Sequence, residues 1–149
     1  MKLFLLVLLL FFLGCEEKYT NVAIDQNISI DKNITNVENL KLRYQEYWEV
    51  FSKGEYDKSY AYELPYLNYI KSLQWYKDFN RIRKNDYKVS MLNIKSYPYD
   101  AKVALVRTRF QSPHKTFELS DRWVQVGDTW YHYYKQSLLP KPPRPIIKY

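Results

Sequence analysis

The sequence is poor in the residues that most often build covalent or metal-bound sites. It has one cysteine and two histidines among 149 residues. A single cysteine excludes an intrachain disulfide, and so few Cys and His ligands argue against a His/Cys metal site. No catalytic-triad signature or phosphate-binding glycine loop is recognisable. The sequence therefore predicts no catalytic residues, no cofactor and no metal, and leaves enzyme activity open but disfavoured.

Long apolar runs are also missing, with one exception at the N-terminus. Leu3–Leu13 is an unbroken apolar run that follows Lys2. As a helix it would span roughly 16 Å, at about 1.5 Å per residue, which is well short of a ~30 Å hydrocarbon core. Residues 1–14 are therefore predicted to be a signal peptide rather than a membrane-spanning helix.

The only cysteine, Cys15, directly follows this run. The segment Phe12-Leu-Gly-Cys15 resembles a bacterial lipoprotein lipobox, although Phe12 stands where leucine is usual. The resemblance implies that Cys15 carries several acyl chains, palmitate among them, which is enough for a firm anchor. It also implies a cell-envelope protein that faces the periplasm, at the outer membrane because Glu16 and not Asp follows. The alternative is an ordinary signal peptide followed by a free thiol.

Positive charge exceeds negative charge, with 23 basic and 16 acidic side chains and a net charge of +7. Such a surplus suits an anionic membrane surface, nucleic acid or simple solubility. The basic residues are scattered and the chain carries an export signal, so nucleic acid is not expected as a partner.

Residues 15–36 are polar, lack a helical period and are predicted to be a flexible tether after the lipidated cysteine. They contain a tandem hexapeptide in which Asn27 and Asn33 each begin an Asn-x-Ser/Thr sequon. Each Asn is also preceded, two residues earlier, by Asp. This five-residue pattern resembles the acceptor sequon of bacterial N-glycosylation, which makes Asn27 and Asn33 candidate glycosylation sites. The alternative is a duplicated Asn-rich linker.

Three helices are predicted next. Thr35-Asn-Val-Glu38 has the form of a capping box, and an apolar stripe follows it to about Ser52. A short helix is expected over Glu55–Glu63, and Pro65 suits the first turn of a third helix. The apolar stripe of this third helix would comprise Tyr66, Tyr69, Ile70, Leu73 and Tyr76. Other apolar residues fall on its opposite side: Leu67, Trp75, Phe79 and Ile82. The helix is therefore either buried on two faces or breaks near Trp75.

Four strands are predicted after these helices, over Tyr87–Tyr97, Lys102–Gln111, Thr116–Val126 and Thr129–Gln136. Short connections favour an antiparallel meander. Gly127-Asp128 suits a two-residue type II′ turn that pairs Trp123 with His132. The face turned toward the helices would carry Ala104, Val106, Thr108, Phe110, Phe117, Leu119, Asp121, Trp123, Trp130, His132 and Tyr134.

The closing hairpin Trp123-Val-Gln-Val-Gly-Asp-Thr-Trp-Tyr131, placed after three helices and a meander, resembles the nuclear-transport-factor-2-like superfamily. Its members have a cystatin-like cone and include ketosteroid isomerase-like enzymes. The resemblance implies an α+β fold with three N-terminal helices packed on a curved four-stranded antiparallel meander, over residues 37–139. A Pro-rich basic tail, residues 140–149, would follow.

The predicted inner face places four residues in a candidate pocket: Asp121, Trp123, His132 and Tyr134. Asp121 and His132 could form a general-base pair if they lie within ~3 Å of each other. Alternatively, His132 packs on Trp123, and Asp121 is held by Tyr134 or a backbone amide.

Two classes of function remain open. The favoured one is a non-catalytic envelope lipoprotein, anchored in the membrane through Cys15, that binds an envelope protein, a glycan or a small apolar ligand. The alternative is a small-molecule isomerase or dehydratase of the ketosteroid isomerase-like type. A close Asp121–His132 pair in a deep pocket would favour the enzyme, and a filled cone would favour the binding protein.

Overall fold

The computed structural model describes residues 22–81 and 87–134, which form an α+β arrangement of one sheet and four helices. The predicted signal peptide, Cys15 and the tail of residues 140–149 lie outside the described residues. The strands are β1 (Val22–Ile30), β2 (Lys88–Tyr97), β3 (Asp100–Gln111), β4 (Thr116–Val126) and β5 (Thr129–His132). The helices are α1 (Val37–Ser52), α2 (Tyr56–Tyr60), α3 (Leu67–Ile70) and α4 (Leu73–Arg81).

The sheet has the strand order β1-β2-β3-β4-β5 and is open. Strands β2 to β5 form the predicted antiparallel meander, whereas β1 pairs with β2 in parallel. The four predicted strands are thus present, but the expectation that the sheet consists of these four alone is wrong, because a fifth strand makes it mixed. No helix in the described part of the chain is long and apolar enough to cross a membrane.

Strand β1 also corrects the prediction that residues 15–36 are a flexible tether. Val22 is buried, and Ile24, Ile28 and Ile30 pack against the core. The register with β2 shifts between Ile24 and Ser29, so the short polar stretch between them leaves the ladder. The folded unit therefore includes residue 22 and does not start at residue 37, because two short alternating apolar segments flank this polar interruption.

Helix α1 ends at Ser52 as predicted, but it does not start with the predicted capping box. The Thr35 hydroxyl donates instead to Oε1 of Gln125, at 2.9 Å. Asn36 has the left-handed φ of 50°, and its side-chain amide donates to the carbonyl oxygen of Asp128, at 2.7 Å. The start of the helix is thus fixed by contacts with the β4–β5 hairpin.

The predicted third helix breaks at Lys71, whose backbone is extended (φ −140°, ψ 129°), and becomes α3 and α4. The expectation of three helices is therefore wrong. The predicted stripe of that helix is also broken, since Tyr69 is 91% exposed while Tyr76 is fully buried. Leu67, from the opposite side of the predicted helix, is buried instead.

The β4–β5 hairpin has the predicted register, with Trp123 opposite His132. Gly127 has a φ of 60°, the positive value that the first central position of a type II′ turn requires. The predicted inner face packs on the helices, except that Leu119 is 46% exposed. The main core comprises Val22, Ile34, Leu40, Tyr44, Tyr47, Val89, Met91, Ile94, Ala104, Val106, Phe110, Trp123 and Trp130.

Candidate functional site: a buried histidine between two carboxylates

His132, the last residue of β5, lies between two carboxylates in the interior of the domain. Its Nδ1 is 2.8 Å from Oε2 of Glu63, and its Nε2 is 2.8 Å from Oδ1 of Asp121. The side chains of Glu63, His132 and Asp121 are 0%, 8% and 12% exposed. We call these three residues the carboxylate–histidine triad.

Backbone pairing brings Glu63 to this position. Glu63, which belongs to none of the five strands, forms an isolated parallel bridge with His132. The amide of Leu64 donates to the carbonyl oxygen of His132 at 2.9 Å, and the amide of His132 donates to that of Tyr62 at 2.8 Å. The segment after α2 therefore adds to the β5 edge of the sheet. Asp121 comes from β4, two positions before Trp123, the residue opposite His132.

Further donors satisfy both carboxylates. Oε1 of Glu63 accepts hydrogen bonds from the hydroxyls of Tyr47, at 3.0 Å, and Tyr76, at 2.9 Å. Oδ2 of Asp121 accepts a hydrogen bond from the indole Nε1 of Trp123, at 3.1 Å. All four carboxylate oxygens thus have partners, as buried charged groups require.

This environment favours the charged form of His132. Burial of the imidazole lowers its pKa, but the carboxylates of Asp121 and Glu63 outweigh that effect and raise the pKa of His132 to about 10. An ionised carboxylate can only accept hydrogen bonds, so an imidazolium that donates from both nitrogens matches the observed distances. Burial, together with the charge of Glu63, also raises the pKa values of Tyr47 and Tyr76.

Aromatic rings close the space around the triad. The ring of Tyr47 stacks on His132 with a centroid separation of 4.3 Å, and the ring of Trp123 lies at 5.4 Å. Tyr44, Tyr47, Trp123 and Trp130 are at most 1% exposed. An imidazolium in these surroundings has no free lone pair with which to take a proton from a substrate. The arrangement suits charge pairing in the core better than general-base catalysis.

The structure brings three of the four predicted pocket residues together. Asp121 and His132 are in hydrogen-bond contact, and Trp123 touches both. Tyr134 lies apart, where its hydroxyl donates to Oδ1 of Asn80 at 3.1 Å. His132 therefore packs on Trp123, as the alternative interpretation expects, whereas the two carboxylate oxygens of Asp121 are bound by His132 and Trp123. Tyr134 belongs to a second core cluster, with Tyr56, Leu67 and Tyr76.

The sequence did not predict Glu63 as a site residue. Glu63 was expected only as the last residue of the short helix Glu55–Glu63. No spacing relates Glu63 to His132, which lies 69 positions away. A weak signal was present, because Glu63 is the only acid in the aromatic stretch Tyr60-Ala-Tyr-Glu-Leu-Pro-Tyr66. A charged residue in such surroundings is either exposed or paired in the core.

The triad does not have the form of a metal site. Its two carboxylates bind opposite nitrogens of one imidazole, so the three side chains do not converge on a common point. Over residues 22–81 and 87–134, no group of three or more His, Cys, Asp or Glu residues is arranged to hold a metal ion.

The two predicted glycosylation sequons have similar local geometry. The backbone amides of Asn27 and Asn33 donate to the carboxylates of Asp25, at 3.1 Å, and Asp31, at 3.0 Å. Both asparagine side chains are exposed. Asn27 lies in the stretch of β1 that leaves the ladder with β2.

The second sequon is the more tightly held. Asp31 also accepts a hydrogen bond from the Ser96 hydroxyl, which lowers the pKa of its carboxyl group. The hydroxyl of Thr35 is bound to Gln125. In the folded domain, Asn27 is therefore the more accessible acceptor.

Comparison with known proteins gives no assignment: no protein-family model, no curated protein and no solved structure matches this chain.

Proposed function

We propose that this protein is a membrane-anchored lipoprotein of the cell envelope whose folded domain binds a partner and is not catalytic. One observation supports the proposal that the domain is not catalytic: the interior position that would hold a substrate is filled by Tyr47, Trp123 and the triad. The lipobox-like segment Phe12-Leu-Gly-Cys15 supports the proposal of a membrane-anchored lipoprotein. A partner would bind at the surface of the domain.

One observation favours the alternative, a ketosteroid isomerase-like isomerase or dehydratase. Asp121 and His132 lie 2.8 Å apart, which is the separation that a general-base pair needs. Their low exposure and the second carboxylate, that of Glu63, argue against this function. Such an enzyme needs a neutral base at the wall of a pocket, whereas His132 is paired on both nitrogens.

The nuclear-transport-factor-2-like relationship remains a proposal. It is supported by helices that precede a meander and pack against its inner face, and by the aromatic closing hairpin. The parallel strand β1 has no counterpart in the expectation drawn from that superfamily.

The anchor gives the first prediction. Replacing Cys15 with serine removes the thiol that would be acylated, so labelling with a fatty-acid probe in the native host should fall to background. Equal labelling of the wild type and the Cys15→Ser variant would rule out this anchor.

The sequons give the second prediction. In a host with a bacterial N-glycosylation pathway, the protein should carry a glycan at Asn27 in preference to Asn33, because the side chain of Thr35 is engaged in the fold. Intact-mass measurement should show the added mass lost in Asn27→Gln and largely kept in Asn33→Gln. If such a host adds no mass beyond the lipid, or if Asn33→Gln alone removes the glycan, the prediction is wrong.

A further inference from the structure

The outer face of the sheet, which points away from the helices, contains a shallow groove. It has a volume of about 360 Å³ and is lined by Asn93, Lys95, Leu105, Arg107, Glu118 and Ser120, and also by Leu119, whose place in β4 alternates toward the other face. This volume is at the lower end of the range for small-molecule sites, roughly 300–1,000 Å³. None of the three residues of the carboxylate–histidine triad lines this groove.

The strand register places two cations at this groove. Lys95 on β2 is opposite Leu105 on β3, and Asn93 is opposite Arg107. Lys95 and Arg107 are therefore diagonal neighbours on adjacent strands, with Cα atoms about 7–8 Å apart. Glu118 already offsets part of the charge of Arg107. An anion beside Lys95 would offset the positive charge that remains.

Glu118, the one acidic residue that lines the groove, forms salt bridges with Arg107 and Arg109. Glu118 accepts hydrogen bonds from Nε of Arg107 at 2.7 Å and from Nε and Nη2 of Arg109 at 3.0 and 2.9 Å. These contacts lower the pKa of Glu118, which stays ionised and is shared by two guanidinium groups. Within the described residues Lys95 forms no ion pair. The positive charge of this face is therefore only partly neutralised.

We propose that this groove binds a phosphate group. Lys95 and Arg107 would supply charge, while the Asn93 amide and the Ser120 hydroxyl would supply neutral donors. A tetrahedral oxyanion can accept hydrogen bonds from several such donors at once, and bonds to charged donors are the strongest of them. The half-buried side chain of Leu105, on the same face, offers an apolar surface to the organic part of the ligand. A soluble phosphate ester and a phospholipid head group carry this same chemistry.

The test uses the predicted mature chain, residues 15–149, with the Cys15→Ser substitution, so that neither an acyl chain nor the apolar run Leu3–Leu13 contributes to binding. Inorganic phosphate is titrated at constant ionic strength while amide NMR signals are followed. The signals of Asn93 and Ser120 should shift saturably. Lys95→Gln should weaken binding about tenfold, the change expected for the loss of one charged hydrogen bond. Lys102→Gln is the matched control, because it removes the same charge from an exposed position outside the groove.

A second arm distinguishes the two sources of phosphate. Vesicles of phosphatidylcholine, with and without phosphatidylglycerol, are tested for co-sedimentation with the same variants. A soluble ligand is indicated if free phosphate binds with Lys95 dependence and vesicles do not. A head group is indicated if only the anionic vesicles bind, again with Lys95 dependence. The proposal is overturned if neither probe binds, or if Lys102→Gln weakens binding as much as Lys95→Gln.

Discussion

Replacing His132 with leucine is expected to lower the free energy of unfolding by about 3–5 kcal/mol, the usual effect of removing one partner from a buried ion pair. Leucine fills most of the volume but leaves Glu63 and Asp121 without a cation. Glu63 has no exposed side-chain surface, so water cannot compensate for this loss. Urea unfolding monitored by circular dichroism measures the effect.

The chain provides a matched control for this experiment. His114, the other histidine, lies exposed in the connection between β3 and β4. His114→Leu should change the free energy of unfolding by no more than about 0.5 kcal/mol, as is usual for surface substitutions. Adding Glu63→Gln to His132→Leu should restore part of the lost stability, because it removes one uncompensated charge. Equal effects of His132→Leu and His114→Leu would contradict the structural role of the triad.

Replacing Trp123 with alanine is expected to cost about 3–5 kcal/mol, as for other large-to-small changes in a core. Trp123 is fully buried, contacts the rings of Tyr44 and Tyr47, and donates a hydrogen bond to Asp121. The substitution therefore creates a cavity and leaves one carboxylate oxygen without its partner.

Tyr99→Ala is the control for that experiment, because Tyr99 is a large aromatic residue that is 94% exposed in the β2–β3 turn. Its replacement should have little effect. A cost below about 0.5 kcal/mol for Trp123→Ala, measured by the same urea unfolding, would mean that the two faces of the sheet are inverted.

The meander was predictable because short connections fix strand register. The two-residue turn at Gly127-Asp128 permits one pairing, and that pairing places Trp123 opposite His132. The connection between β3 and β4 likewise pairs Phe110 with Phe117. Burial of Trp123 followed from this register, and it is confirmed.

Strand β1 was not predictable in the same way. Its apolar alternation is interrupted by the polar residues 25–27, and its partner β2 lies more than 60 positions away along the chain. No local turn connects the two strands, so the sequence contained no signal for their register. A similar limit explains why Glu63 was missed, since only the tertiary fold brings it to His132.

The break of the predicted third helix at Lys71 coincides with a change in which side chains enter the core. Tyr66, Tyr69 and Ile70 have helical spacing, but none of the three belongs to the second core cluster. Leu67 and Tyr76 occupy that cluster with Tyr56 and Tyr134. The Tyr60 hydroxyl also donates to the carbonyl oxygen of Lys71, at 2.6 Å, which satisfies a backbone group at the break.

The charge state of His132 predicts how stability depends on pH. Its pKa is raised to about 10 in the folded protein, against 6.5 for an ordinary histidine. The protonated His132 ring therefore stabilises the folded state. This contribution is complete below about pH 6.5 and is lost as the pH rises through about 10. The free energy of unfolding should therefore decline over this range, and the decline should be absent in His132→Leu.

The most direct test of the buried triad is NMR observation of the His132 ring nitrogens as the pH is varied. His114→Gln leaves a single histidine and makes the assignment certain. At pH 7.5 both ring nitrogens of His132 should carry protons, and the imidazole should lose one only near pH 10. A neutral imidazole at pH 7.5, titrating near the ordinary value of about 6.5, would contradict the account. That result would favour the alternative, in which Asp121 and His132 act as a general-base pair.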